Sequence, residues 1–461
     1  MHLLHVIAGA EIGGAETFAR DTIAGLAGAG IRQTVVCRPF PDSLARFAAA
    51  GVRTVPLDFS WLDRVRGAPA RLRRMARETG ADLVHAWMSR AASFVPPAMP
   101  CPVIGWFGDT YDMKYFRQVD ACIGVTPDIV RWTLAHGTAP HRAFLVNTFG
   151  TMPDCPPVSR HALNVPDGAA LLLVLSRLHP VKGIDTLLRA LVEVPGAFLC
   201  VAGDGPARGE YEALSRRLGL SDRVRFLGWR NDRRALLEAC DICVLPSRYE
   251  PFGTVILEAW AALRPLVATR ADGARQYVED GRTGLVCPID DPPALAACLR
   301  RVVADEAGLR RRLAEAGHAR YIAEFTEQRV LERLQFVYRT AIALGPSSRD
   351  VVVPVSGLDS VRLGRLSAGL AEVAPTGQRG RAARAAAVAL AYADAGRSEA
   401  VAAAMCDLAG PGGWLQGVGR QARVVLAPTG HATDATSGLP HDAAPEMAHA
   451  AEWLHAALVA A

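Results

Sequence analysis

The sequence lacks any apolar run long enough to cross a bilayer, since no stretch approaches the roughly 20 consecutive apolar residues that a spanning helix needs. Its opening, Met1-His-Leu-Leu-His-Val-Ile-Ala, has neither a basic start nor a long apolar stretch, so no signal peptide is expected. A net charge of +5 over 461 residues is too weak for a dedicated nucleic-acid binder, which concentrates basic residues on one face. Ten cysteines are scattered without metal-ligand spacing. The one close pair, Cys240 and Cys243, flanks the start of an apolar strand pattern, where buried thiols act as small hydrophobes rather than zinc ligands. No metal site and no cofactor are expected, and the thiols read as those of a reducing, cytoplasmic compartment. The dinucleotide fingerprint Gly-x-Gly-x-x-Gly is also missing: after the first strand pattern stands Ile12-Gly13-Gly14-Ala15-Glu16, which argues against a nicotinamide enzyme.

What is present is a long alternation of short apolar runs with helical patterns, the signature of parallel sheets covered by helices. Half the residues are hydrophobic, enough to bury more than one core, and the length implies two or three domains. Strands are expected at Leu3–Ala8, Gln33–Cys37, Asp82–Ala86, Val103–Trp106, Ala121–Val125 and Ala143–Val146. The proline-rich Met152-Pro-Asp-Cys-Pro-Pro-Val then interrupts, and the pattern restarts at Ala170–Ser176, Phe198–Ala202, Val224–Leu227, Ile242–Leu245, Leu266–Ala268 and Gly284–Cys287. A helix over Arg320–Leu344 closes the second unit. The expected domains are 1–155, 156–344 and an Ala- and Gly-rich extension at 345–461, mainly helical or partly without order, with helical patterns at Arg381–Ala395 and Ala448–Ala460 and a small polar loop at Ala427–Ala443.

Two segments carry chemistry. In Ser247-Arg-Tyr-Glu250-Pro-Phe252-Gly253-Thr254-Val255-Ile-Leu-Glu258 a buried strand ends, a loop follows, and a helix opens near Gly253. Exposed N–H groups at such a helix start attract phosphate. Glu258 lies on an otherwise apolar helix, where an idle carboxylate is costly, and it can accept hydrogen bonds from ribose hydroxyls. Read without function, Glu250 is a capping acid and Glu258 a solvated face. In Val174-Leu-Ser-Arg177-Leu-His-Pro-Val-Lys182-Gly183, a strand delivers two cations to the carboxyl edge of a sheet, a place suited to neutralising a departing diphosphate. The plain alternative is a surface arginine and a lysine beside a helix. Gly13 and Gly14 allow backbone to approach a ligand closely. Base selectivity is expected around Gly228-Trp-Arg230-Asn, after the Val224–Leu227 strand, with plain packing of the aromatic and the arginine as the alternative.

Together these residues resemble the retaining glycosyltransferases of family 4, built from two Rossmann-like α/β/α domains facing across a cleft (the GT-B architecture). The match covers residues 1 to about 340. The family's Glu-x7-Glu motif falls on Glu250 and Glu258, its basic pair on Arg177 and Lys182, and its N-terminal glycine loop on Gly13 and Gly14. The resemblance implies that Glu258 binds the donor ribose and that Glu250 and the Phe252–Val255 backbone contact sugar and phosphates. Arg177 and Lys182 would stabilise the leaving diphosphate, with acceptor attack from the same face. A nucleotide-diphosphate sugar and a glycan or lipid-linked acceptor are the implied partners, in cell-surface polysaccharide or lipopolysaccharide synthesis. One departure stands out. Where the family often has His-x-His, this chain has His85-Ala-Trp87. His85 and Asp109 are kept as cleft or acceptor candidates, with Asp112 and Lys114 beside the latter.

A basic run, Arg64, Arg66, Arg71, Arg73, Arg74 and Arg77, is interleaved with Trp61, Leu72 and Met75. It suits peripheral contact with an anionic membrane at the cytoplasmic face, or a solvated arginine-rich helix. Two other function classes are carried alongside: a nucleotide-sugar epimerase of the same architecture, which would lack the paired glutamates, and a non-catalytic nucleotide-sugar-binding protein.

Overall fold

In the computed structural model, residues 1–11 and 13–347 are described throughout, together with the backbone of 350–354 and 423–427. Two parallel sheets follow one another. The first comprises β1 (His2–Ile7), β2 (Arg32–Cys37), β3 (Arg53–Pro56), β4 (Leu83–Trp87), β5 (Val103–Phe107), β6 (Ala121–Gly124) and β7 (Ala143–Leu145), in the order β3-β2-β1-β4-β5-β6-β7. The second comprises β8 (Ala170–Leu175), β9 (Ala197–Ala202), β10 (Val224–Gly228), β11 (Ile242–Leu245), β12 (Leu266–Thr269) and β13 (Leu285–Cys287), in the order β10-β9-β8-β11-β12-β13. In each sheet the strand order reverses beside the first strand. Open sheets of this kind bind ligands beyond the carboxyl ends at that switch point.

Each expected strand of the two units has a counterpart, but β3 was not foreseen. It is a four-residue edge strand ending in a proline, with no buried residue. Edge strands need no apolar stripe, and so leave little mark on a sequence.

The two faces of the second sheet are read directly from alternation along its strands. Leu172, Val174, Val201, Ile242, Val244 and Val267 pack beneath the helices Ile184–Val192, Arg208–Arg217 and Pro292–Ala304. Leu171, Leu173, Cys243, Leu245 and Ala268 face the opposite way, into a core that continues to the first sheet. Fully burying one such aliphatic side chain stabilises the fold by about 1.5–3 kcal/mol. Cys240 and Cys243 are buried free thiols, and loss of solvent pushes the Cys240 thiol up to about 12.

The long helix expected at Arg320–Leu344 is divided in two, Leu309–Glu324 and Glu327–Leu344, because Thr326 caps the second (Oγ1 accepting from Arg329 N, 3.4 Å). That second helix returns to the first half. Its Leu331 sits against Gly25, where a Cβ would lie 2.6 Å from the leucine methyl. Asn147 ties the halves again: its Nδ2 donates to Val125 O (3.1 Å) and Tyr277 Oη (2.6 Å), and its Oδ1 accepts from Arg333 (3.2 Å).

Just beyond Leu344 the chain is still attached to the first half. Arg142 donates to Gly345 O at 2.9 Å, and Ser347 N and Oγ both donate to Asp120, at 2.6 and 2.8 Å. Asp350–Pro354 and Arg423–Ala427 then form a separate parallel ladder. No strand was expected there, although the β-branched run Val351-Val-Val favours one. The helices expected at Arg381–Ala395 and Ala448–Ala460, and the loop beyond Ala427, lie outside the described residues.

Candidate active site

The loops after β8 and β11 meet at the switch point of the second sheet. Gly183 permits it: its φ is +63°, and a Cβ there would lie 2.0 Å from Pro246 O. The two loops are joined by Arg248 N donating to Val181 O at 2.8 Å. This brings Lys182 Nζ to 2.6 Å from Glu250 Oε2, an oxygen that also accepts from Ser247 Oγ at 3.3 Å. The Glu250 backbone is held by Gly273 N, which donates to its carbonyl at 2.8 Å. From behind, Arg248 forks onto Asp185 (2.8 and 2.7 Å) and reaches Asp290 (2.9 Å), a geometry that restrains the loop more firmly than a lysine could. Arg177 stands exposed at the same sheet edge, and its guanidinium has no hydrogen bond or ion pair among the described residues.

Gly253, with φ +86°, opens the helix Thr254–Ala261 that carries Glu258. Glu258 is 2% exposed. Its Oε1 accepts from Arg233 Nη1 at 2.5 Å, while Oε2 is buried with no hydrogen-bond partner among the described residues. Burial pushes this carboxyl above its usual range, and the Arg233 guanidinium opposes that shift. An unpaired buried acceptor typically costs about 1–3 kcal/mol. Arg233 Nη2 also donates to Thr151 O (3.2 Å), and Thr151 Oγ1 donates to Asp21 of the first helix. Glu258 is thereby linked to the first half of the molecule.

One expectation is corrected. His85 does not line a cleft: it is fully buried, its Nδ1 is 2.8 Å from Tyr338 Oη, and its ring stacks on Trp87 with centroids 4.1 Å apart. Trp87 is equally buried and donates from Nε1 to His5 Nδ1 at 3.1 Å. The physical reason is that β4 is an interior strand, covered on both faces. Phe252 turns its ring into the core, 5.1 Å from Tyr277, and its backbone, the part named from the sequence, lies at the loop.

Asp109 accepts from Tyr249 Oη, a contact between the two halves. Asp112 pairs with Lys114 (2.7 Å) on the surface. Gly13 is extended, and a Cβ there would fall 2.1 Å from the Glu16 carboxylate, which fills the glycine loop; Gly14 has open space beside it. At the end of β10, Trp229 is exposed and Arg230 forks onto Asp232 (2.7 and 2.5 Å). Arg233, Arg248 and Tyr249 were missed as site residues. Their partners lie 25, 63 and 140 positions away, and no local pattern marks such pairings.

Comparison with known proteins agrees with this geometry. The profile of Glycosyltransferase Family 4 matches residues 12–148, and that of Glycosyl transferases group 1 matches residues 157–320. The lipopolysaccharide core biosynthesis glycosyltransferase LpsE of Rhizobium meliloti (strain 1021) is 33% identical over 327 residues, which are 69% of this chain and 94% of LpsE. This chain belongs to the family 4, group 1 glycosyltransferases. LpsD of the same organism is 30% identical to this transferase over 353 residues, covering 74% of it and 99% of LpsD. The crystal structure of HepE from Anabaena, in complex with UDP and glucose, superposes with a TM-score of 0.64 at 22% identity, covering 74% of this transferase and 100% of HepE. The fold is therefore GT-B, with two Rossmann-like domains. Among the described residues no helix is long and apolar enough to cross a membrane.

Proposed function

We propose that this glycosyltransferase moves a hexose-type sugar from a nucleotide-diphosphate sugar to a glycan or lipid-linked acceptor, with retention of configuration and without a metal. Glu258 carries the reading: a buried carboxylate with one unpaired oxygen, four residues into a helix opened by a glycine, fits a ribose hydroxyl held beside a diphosphate. The names of LpsE and LpsD support an acceptor of the lipopolysaccharide-core type. The UDP in the HepE crystals makes uridine nucleotides the first donors to try.

In this reading the Phe252–Val255 backbone and Glu250 receive the phosphates and the transferred sugar, with Gly13 and Gly14 approaching from the other half. The bond from the anomeric carbon to the diphosphate breaks. The acceptor oxygen bonds to that carbon on the same face and gives its proton to a departing phosphate oxygen. Arg177 and Lys182 meet the negative charge that grows on the leaving group. Asp109 is the candidate for orienting the acceptor. The test is incubation with a panel of nucleotide sugars and core oligosaccharides, followed by mass spectrometry and NMR of the new linkage. Epimerised nucleotide without transfer would make the protein an epimerase. Binding with neither product would make it a non-catalytic receptor, and an inverted linkage would remove the same-face mechanism.

We also infer peripheral contact with an anionic membrane at the cytoplasmic face. Trp61, Leu62 and Val65 are 73%, 51% and 64% exposed, beside the helix Ala68–Glu78 with Arg71, Arg74 and Arg77 exposed. Each cation near such a surface contributes about 1 kcal/mol. Co-sedimentation with phosphatidylglycerol vesicles should fall when Arg71 and Arg74 are replaced by Glu. Unchanged sedimentation would discard the contact.

A further inference from the structure

At the carboxyl ends of β1 and β2 a small open cavity of about 20 Å³ is lined by Gly9, Glu16, Arg20, Arg38, Phe40 and Ser43, among others. Its two arginines are not neutralised. Arg20 donates to Glu11 O (3.0 Å), Ser43 Oγ (2.9 Å) and Thr17 Oγ1 (3.3 Å), and Arg38 donates only to Gly9 O, at 3.4 Å. All of these acceptors are uncharged, and neither guanidinium forms an ion pair among the described residues. In both arginines Nε is buried without a hydrogen-bond partner among the described residues. Arg38 is steadied from one side by the Phe40 ring, 4.8 Å from its guanidinium carbon.

One internal anion shares the site. Glu16 Oε1 accepts from Ala10 N at 2.9 Å, and its carboxylate occupies the space where Cβ atoms on Gly9 and Gly13 would lie, 2.3 and 2.1 Å away. Two fixed positive charges against one negative leave an excess of one positive charge facing the cavity. Unpaired guanidinium N–H groups in a half-enclosed space match the planar or tetrahedral oxygens of an anion.

We propose that Arg20 and Arg38 form an oxyanion site that receives a phosphoryl or carboxylate group carried by the acceptor. Assigning the anion to the acceptor rests on the transferase reading above; the site itself does not. Its position supports the assignment. Arg20 precedes Asp21, which binds Thr151, whose carbonyl accepts from Arg233, the partner of Glu258. The pocket is therefore one residue removed from the network that ends at the candidate donor site, but belongs to the opposite sheet. An acceptor sugar held there by its charged substituent would be anchored while a neighbouring hydroxyl reaches the cleft.

The experiment is calorimetric titration of the full chain with inorganic phosphate and, separately, with glucuronate, using glucose as the neutral control. Binding should weaken about tenfold or more in Arg38→Met and in Arg20→Met, the change expected for losing a hydrogen bond to a charged group. Arg38→Lys should retain part of it, which separates charge from folding. Arg189→Met, an exposed residue of the second half with no place in either site, should bind both anions as the parent does. Glu16→Gln should bind them more tightly, because the internal competing charge is gone. Whether phosphate or glucuronate binds better tells a phosphorylated acceptor from an acidic sugar. Absence of binding at millimolar anion, parental affinity in both methionine variants, or loss only in Lys182→Ala would each overturn the proposal. UDP titrated in parallel reports on the donor reading alone: a chain that binds phosphate through Arg38 but not UDP would keep this site and lose that reading.

Discussion

Glu258→Gln separates donor binding from folding more cleanly than any other change in the molecule. In the free protein the carboxylate is buried, one oxygen serves Arg233 at 2.5 Å, and the other serves nothing. Gln keeps the shape, and its carbonyl can keep accepting from Arg233. It removes the charge whose burial raises the Glu258 carboxyl, and with it the cost of an unpaired buried carboxylate oxygen. The ligand-free fold should therefore be unchanged in stability or slightly firmer. Donor binding should move the other way. A hydrogen bond to a charged group is worth about 1.5–3 kcal/mol, so the Kd for the nucleoside diphosphate should rise roughly 10- to 150-fold. Calorimetry with UDP, beside thermal unfolding without ligand, reads both quantities. Glu258→Ala is harsher: it strips Arg233 of its acid, and the 37% exposure of that arginine lets water take over only in part. A folded Gln variant with parental affinity would remove Glu258 from the donor site. A Gln variant that melts early, with affinity intact, would make Glu258 a purely structural acid.

Arg177→Ala and Lys182→Ala should each lower turnover about a hundredfold while leaving the chain folded, because their partner charge develops on the leaving group; parental kcat with only a raised KM would reduce the pair to substrate binding. The buried histidines set acid sensitivity. Burial holds His5 at about 3 and His85 well below its ordinary value, so the fold keeps both neutral while the unfolded chain takes up protons below about pH 6.5. Their stabilisation is complete above that pH and is lost as pH falls towards 3, at about 1.4 kcal/mol per unit for each. Urea unfolding at pH 7 and pH 5 should differ accordingly, and His5→Asn should halve the slope; a flat profile would mean the rings are solvated. A chain ending after Ser347 should fold and bind nucleotide, since among the described residues the last contacts to the body are those of Gly345 and Ser347; insolubility or lost binding would place the later residues in the catalytic body.

Much of the architecture was legible because its causes are local. Apolar runs such as Leu171-Leu-Leu-Val-Leu and Ile242-Cys-Val-Leu are strands buried on both faces, and that pattern survives without knowledge of their neighbours. Gly183 and Gly253 mark the turns that open two helices, at the positions where φ is positive. The edge strand Arg53–Pro56 and the break at Thr326 escaped, since neither depends on an apolar stripe.

The site divides along the same line. The order strand, loop, glycine, helix is written in consecutive residues, so Arg177, Lys182, Glu250 and Glu258 could be named as the residues at two sheet edges. Their mutual arrangement could not. That Lys182 rests on Glu250, that Arg233 takes one oxygen of Glu258 and leaves the other bare, and that Tyr249 reaches Asp109 are products of how two sheets and their loops pack. The same packing withdrew His85, because a strand-end histidine becomes a core residue once Tyr338, 253 positions later, covers it. Sequence by itself determined which elements form and which charged groups stand at their ends, because backbone geometry and burial pattern act over a few residues. Only the tertiary structure decided which of those groups are neutralised, which are buried and which are left open to a ligand, because charge and solvent act between residues far apart in the chain.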